Sequence, residues 1–307
     1  MVKPKITLGI EVGDSSLKMA LHDKVQRKIL RTSVVETATH PLREVGNLET
    51  IIKEWLEPYP EVKGEAVTLT LPARMGVVRM VDIPSDIKNI EEYIEWEFTN
   101  SVNAPRKDIW LDYQVVPGLK RGEKTAIVAG VRKAWLDSLR HEFANKHLVP
   151  NVIELDVFSL INLLTTVLGH SKKLVCALKV DTTGVIIVWG KNGVLQALRW
   201  VSVSALSSME RLEAFDALTA DVTEELHKGF SQLGVSKAKG KVVYICGDLS
   251  VQEDFVDRLR QKSPDFLYHL LDSFPKLLLD PNLAPTSTAP LCATAIGASL
   301  RYFGDRK

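Results

Sequence analysis

The sequence predicts an α/β protein of two related lobes, with a small α+β subdomain inserted in the first. Residues 8–21, LGIEVGDSSLKMAL, and residues 174–200, LVCALKVDTTGVIIVWGKNGVLQALRW, carry one pattern twice, more loosely the second time. Each is an apolar strand, a tight turn of Gly, Ser, Thr and Asp, and a further strand, so each offers turn amides and hydroxyls toward a shared cleft where phosphates could sit. Between the copies, residues 76–131 show strand and helix periodicities of their own. A chain of 307 residues, 45% hydrophobic and 25% charged, can fill more than one core. The expected division is 1–75 with 132–172 and 290–307 for the first lobe, 76–131 for the insertion, and 173–289 for the second lobe.

The elements follow in order. Alternation at Ile6, Leu8, Ile10 and Val12, then Leu17, Met19 and Leu21, then residues 29–34, predicts three antiparallel strands. Leu48, Ile51, Ile52, Trp55 and Leu56 have helical spacing, stopped by Pro58 and Pro60, and residues 67–71 form a strand ended by Pro72. In the insertion, residues 77–83 read as a strand, and Asn89 with Glu92 is a capping box that opens a helix to Val102. Ile90, Ile94 and Phe98 share one face of that helix, while Glu91, Glu92 and Glu95 face away. Strands at 109–116 and 125–131 complete this region, and an amphipathic helix at 133–147 follows it, assigned to the first lobe. Residues 152–168 are apolar on more than one side and predict a helix deep in the first lobe. The strands of 174–203 lead to a long helix, in which Leu212, Phe215, Leu218, Val222, Leu226, Phe230 and Leu233 recur before Gly234. A strand at 242–246 ending at Gly247, a helix at 252–261, a loop at 281–290 and a last helix at 291–303 containing Gly297 close the chain.

Several function classes are excluded as expectations. A net charge of +1 supplies no basic face for nucleic acid. MVKPK runs straight into a strand pattern with no apolar stretch for a signal peptide or membrane span, which predicts a cytoplasmic protein. Cys176, Cys246 and Cys292 form no CxxC pair and read as reduced, mostly buried thiols. The seven histidines make no HExxH or Cys/His zinc spacing, and His141 and His147 read as solvated residues of a surface helix.

The segments LGIEVGDSSLK, VVRMVDIPSDIKNIEEYIEWEFTNSV, IWLDYQVVPG, the helix at 152–164 and ATAIGASLRYF span nearly the whole chain. In these segments and their order the chain resembles the PilM-like type IV pilus assembly proteins, relatives of FtsA in the actin-like superfamily. The resemblance implies an actin-like two-lobed fold with ribonuclease H-like halves and no free-standing chemistry. It implies a scaffold that works at the inner face of the cytoplasmic membrane through its partners and binds the short cytoplasmic tail of a bitopic PilN-like protein between the insertion and the first lobe. The type II secretion GspL-type cytoplasmic domain is a related alternative. That protein continues into a transmembrane helix, which is not expected after Phe303.

The resemblance also implies a place for ATP and Mg. In the first turn, Glu11, Gly13, Asp14, Ser15, Ser16 and Lys18 correspond to the family's phosphate loop, with Glu11 and Asp181 as the metal-directed carboxylates. The correspondence is incomplete, and a degenerate nucleotide site is expected. Asp14 stands where the family has Ser, and a like charge about 4 Å away costs about 4 kcal/mol at an effective dielectric near 20. In the second turn, Asp181, Thr182, Thr183 and Gly184 place the glycine one position late, and Arg199 is followed by residues 202–205 instead of a Gly-Gly turn. Only Gly247, with Asp248 after it, survives of an adenosine-binding glycine run. The interval between residues 203 and 221 is too short for the family's outer subdomain, which is therefore expected to be reduced or missing. The alternative is a genuine Mg-dependent ATPase of the same machinery. Asp181 reads equally as a turn residue, and Lys18 reads foremost as a solvent-facing strand lysine. Trp96, Trp110 and Tyr113 are candidate partner contacts, with filling of the insertion's own small core as the other reading.

Overall fold

The computed structural model describes residues 5–37, 45–60, 62, 66–102, 104–118, 122–144, 149–169, 173–202, 211–235, 240–272, 274 and 277–301. β1 (Ile6–Val12), β2 (Ser16–Asp23) and β3 (Lys28–Glu36) form the antiparallel meander that the alternation predicts. α1 (Val45–Leu56) leads to β4 (Val67–Leu71), which lies parallel to β1.

The next stretch, Pro72–Val149, is a compact unit by itself. It holds β5 (Gly76–Ile83), α2 (Ile90–Val102), β6 (Ile109–Pro117), β7 (Lys124–Arg132) and α3 (Lys133–Ala144), with the strands in the order β5-β7-β6. Its core is Ile83, Ile94, Phe98, Ile109, Ala126 and Val128. The N-cap half of the capping box forms, with Glu92 donating its backbone N–H to Asn89 Oδ1 at 3.3 Å, while the Glu92 carboxylate accepts from the Asn89 side-chain amide at 3.0 Å. The unit's bounds take in α3, which packs on β6 and β7, so this helix belongs with the small sheet.

Residues 152–168 are not one helix. Val152–Leu155 is a strand, β8, parallel to β4, and only then does α4 (Asp156–Leu168) begin. Val152 and Ile153 are β-branched and meet a free edge of β4, and this pairing overrides the apolar helical pattern. The second half repeats the first, with β9 (Val175–Asp181), β10 (Gly184–Lys191), β11 (Val194–Ser202), α5 (Arg211–Gln232), β12 (Lys241–Cys246), α6 (Glu253–Lys262) and β13 (Phe266–Leu270). The strand β13 has no counterpart in the sequence reading.

Strand order makes the repeat explicit. With β14 at Leu278–Leu279, the first sheet runs β14-β3-β2-β1-β4-β8 and the second β11-β10-β9-β12-β13. Apart from β14, which pairs with the edge strand β3, both sheets place their third, second, first, fourth and fifth strands in the same sequence. The two apolar hairpins are thus equivalent elements of two lobes. The second lobe's core packs Trp189 edge-on to Phe230 at 6.0 Å and Phe215 edge-on to Phe255 at 5.5 Å.

α7 (Ala293–Ser299) is wedged between β1 and α4 and is wholly buried. It is shorter than predicted: Arg301 lies outside the helix, and residues 302 and 303 lie outside the described residues. Two glycines permit its close approach. A Cβ on Gly9 of β1 would stand 2.0 Å from Ala295 O, and one on Gly297 would stand 1.9 Å from Ser159 O of α4.

Candidate functional site

The two hairpin turns meet. Thr183 Oγ1 of the β9–β10 turn donates to Asp14 Oδ2 of the β1–β2 turn, so one lobe's turn is bonded to the other's. Beneath them, the ends of β1 and β9, the start of β2, the turn after β12 and the start of α4 bring together Glu11, Lys18, Asp156, Lys179, Asp181 and Asp248. Of these, Glu11, Lys18, Asp156 and Lys179 are buried.

Lys179 Nζ sits among three carboxylates, 2.8 Å from Glu11 Oε1, 2.9 Å from Asp156 Oδ2 and 2.8 Å from Asp181 Oδ2. Lys18 Nζ lies 2.6 Å from Asp248 Oδ1, with Glu11 at 3.8 Å and Asp181 at 3.9 Å. Each lobe therefore lends a lysine to carboxylates of the other. At 2.8 Å and an effective dielectric near 20, each contact is worth about 6 kcal/mol of gross attraction. Withdrawing the ions from water offsets several kcal/mol apiece.

Protonation follows this contest. Burial alone would lower both lysines, but the surrounding carboxylates reverse it, and Lys18 and Lys179 are both held above the ordinary lysine value and stay charged. Burial would raise Asp181, yet Lys179 and Lys18 hold it below the usual carboxylate range. In Asp156 and Asp248 burial prevails over the neighbouring lysine, and both are raised. Glu11 is left incompletely satisfied. The contact of its Oε1 with Lys179 is an ion pair whose geometry falls short of a hydrogen bond, and Oε2 has no hydrogen-bond partner.

The predicted site residues converge, but most are occupied with one another. Gly13 donates its N–H to Ser16 O at 2.8 Å, closing its own turn. Ser15 is exposed, and its carbonyl accepts from Thr37; Ser16 is buried in β2. Thr182 is exposed, Thr183 is bonded to Asp14, and Gly184 is packed under the Trp200 ring. Gly247, at φ +94°, gives its N–H to Pro290 O at 2.9 Å, and a Cβ there would stand 2.7 Å from Val180 O, so glycine is required on both counts. Asp248 N–H reaches Asp181 Oδ1 at 3.4 Å. Lys18 is not solvent-facing: all eight residues of β2 are buried, and the lysine is 1% exposed. Among the described residues no group of three or more His, Cys, Asp or Glu side chains stands ready for a metal.

Asp156 and Lys179 escaped the sequence reading. The signal was there in Lys179, a lone charge inside the otherwise apolar run VCALKV; Asp156 was hidden by the merging of β8 with α4. Of the aromatic candidates on the small unit, Trp96 is 58% and Trp110 38% exposed, while Tyr113 packs against the unit's own core. Trp110 Nε1 donates to Asp137 Oδ1 at 3.2 Å, with Arg140 over its ring at 4.5 Å. His141 and His147 fall outside the described side chains. All three cysteines are buried and free.

By sequence, the chain matches no family model and no curated protein. By structure it is similar to a chain of a PilM–PilN type IV pilus biogenesis complex, with a TM-score of 0.76 at 18% identity over 96% of this chain and 98% of that one. It is also similar to the cytoplasmic domain of EpsL, an inner-membrane component of the type II secretion system of Vibrio cholerae, with a TM-score of 0.52 at 11% identity over 97% of each chain. A Bacteroides thetaiotaomicron protein with an actin-like ATPase fold gives 0.52 at 14% identity, over 88% of this chain and 94% of that one. Two lobes of repeated strand order, joined at paired hairpin turns and interrupted by a small α+β unit, are thus the actin-like fold in the form that the pilus-complex chain shares along its whole length.

Proposed function

We propose that the chain is a scaffold subunit of a type IV pilus or a related secretion machine. In this reading it captures the short cytoplasmic tail of a bitopic PilN-like protein and is held by it at the inner face of the cytoplasmic membrane. The observation that carries the reading is the end-to-end fold agreement with a chain of the PilM–PilN complex, at 0.76 over 96% and 98% of the two chains. Among the described residues no helix is long and apolar enough to cross a membrane, which is consistent with attachment through a partner. The cleft supports binding over catalysis, because the groups that the resemblance assigns to phosphate and metal are spent on one another: Thr183 on Asp14, Lys18 on Asp248, and Gly13 on Ser16. Trp96 and Trp110, exposed on the small unit, supply aromatic surface of the kind that anchors peptides.

The test is calorimetric titration of the chain with a synthetic peptide of the cytoplasmic tail of a bitopic membrane protein encoded beside it. Micromolar saturable binding is expected, and membrane recruitment in cells should require that protein. Absence of binding together with partner-independent recruitment removes the reading. A second reading, an Mg-dependent ATPase of the same machinery, is favoured by the convergence of Glu11, Asp181 and both hairpin turns. Micromolar heat with Mg-ATP would establish it over the first. The EpsL likeness supports a third, the cytoplasmic domain of a type II secretion protein, for which the tail peptide would come from that system.

A further inference from the structure

We infer that Lys179 is a built-in substitute for a metal ion, and that with Lys18 it holds the two lobes together without any ligand. The inference deepens the proposed reading of the cleft as non-catalytic and rests on it. The residues that a magnesium nucleotide would need do not fit one, because an ammonium already stands among Glu11, Asp156 and Asp181, with oxygens at 2.8, 2.9 and 2.8 Å. A divalent cation at the same point would face Lys179, and a phosphate entering from the turns would meet Asp14 and Asp248.

Contacts that cross between lobes include Lys179 to Glu11, Lys179 to Asp156, Lys18 to Asp248 and, more distantly, to Asp181, and Thr183 to Asp14. In a ligand-gated cleft these bridges would be supplied by the bound metal and phosphates. Here the sequence supplies them, so the closed arrangement is the resting one. Glu11 adds an independent sign that the cage is built for a cation. It is 1% exposed, and its Oε2 points at no donor, so its charge is balanced only by the neighbouring ammoniums and not by hydrogen bonds. The oxygen shell also has a size. At 2.8–2.9 Å it is wider than the 2.0–2.1 Å that magnesium demands and nearer the 2.3–2.6 Å of calcium.

The experiment removes the ammonium and offers a replacement. Lys179→Ala leaves room and three carboxylates, whereas Lys179→Met fills the room and supplies no charge. For the wild type, neither calcium, magnesium nor Mg-ATP should shift the melting temperature or give heat in calorimetry. Lys179→Ala should melt lower than wild type and recover with millimolar calcium, more than with magnesium, and not with sodium chloride of equal ionic strength. Lys179→Met should melt lower and not recover. If Lys179→Ala does not fold alone, folding on addition of calcium supports the inference equally. The inference is overturned if calcium leaves Lys179→Ala unchanged or unfolded, if both variants respond alike, or if the wild type binds Mg-ATP at micromolar concentration. The last result would also remove the non-catalytic reading of the cleft. Failure of the calcium rescue with a nucleotide-silent wild type would remove the cage alone.

Discussion

Lys18, in the second strand of the first lobe, places its ammonium 2.6 Å from Asp248, the residue after the left-handed Gly247 that ends a strand of the second lobe. The lysine is buried, so the pair is a structural joint between lobes and not a surface ornament. Removing the lysine leaves the Asp248 charge uncompensated, but its side chain is 32% exposed and water takes up part of that charge, so the cost falls below that of a fully buried pair, at about 2 kcal/mol. Lys18→Met is therefore expected to lower stability by that order. Lys18→Met with Asp248→Asn should recover a substantial part, because it removes the orphaned carboxylate too. A double-mutant cycle by urea denaturation measures the coupling. Additive losses would show that the two residues do not act as a joint.

His22 gives the fold a calculable response to acid. It is 6% exposed, lies 3.5 Å from Thr7 Oγ1 and 3.4 Å from Ser299 O, and burial lowers its pKa from 6.5 to about 4 against the opposing hydrogen bond to Ser299, with Lys24 (lowering) and Asp23 (raising) weaker still. Between those values the unfolded chain binds a proton that the folded chain refuses, so stability falls as pH drops from about 6.5 toward 4. The full window is worth at most about 3 kcal/mol. Asp156 and Asp248, raised in the fold, have the opposite slope over the range they titrate, so the test is a difference. The denaturation midpoint of His22→Gln should fall less between pH 7 and pH 4 than that of wild type. Parallel curves would sink the assignment.

Which parts of this could be read from sequence has a physical pattern. The hairpins were legible because their strands alternate and their turns are rich in Gly, Ser, Thr and Asp. The two glycines that seat the last helix were not, since Gly9 and Gly297 answer to backbones far off in sequence. Lys18 was misread because a polar residue in a strand ordinarily faces water, whereas β2 is covered throughout. Lys179 was missed for the related reason that its partners come from β1, α4 and its own strand's end, a meeting that only tertiary structure creates. Short β8 and β13 lacked the length that separates strand from neighbouring helix or loop.

The seating of α7 is testable by adding one methyl group. On an exposed helix, Gly→Ala gains up to about 1 kcal/mol from propensity. In Gly297→Ala the new carbon would fall 1.9 Å from Ser159 O and 2.7 Å from its carbonyl carbon, backbone atoms that cannot step aside cheaply. Overpacking of this kind costs about 1–3 kcal/mol and sometimes more, so the sign reverses and the variant should melt lower or accumulate insoluble. Gly9→Ala should behave alike, at 2.0 Å from Ala295 O. A thermal melt of Gly297→Ala at or above the wild-type midpoint would show that α7 does not approach α4 so closely.

The aromatic residues of the small unit separate a binding role from a packing role. Trp96 is 58% exposed and stands beside Tyr93, with ring centroids 6.4 Å apart, so its loss exposes little that was buried. Trp96→Ala should leave stability within about 0.5 kcal/mol, as surface substitutions do. If Trp96 anchors the partner tail it should weaken capture by about tenfold or more, the scale of an interface hot spot. Tyr113 is partly buried against the unit's apolar core, so Tyr113→Ala should instead destabilise the unit, by about 2 kcal/mol. Tail-peptide titration read beside thermal melts distinguishes the two. A Trp96→Ala chain that binds the peptide as wild type does would move the docking surface off α2, and a Tyr113→Ala chain of unchanged stability would free that ring for contact with the partner.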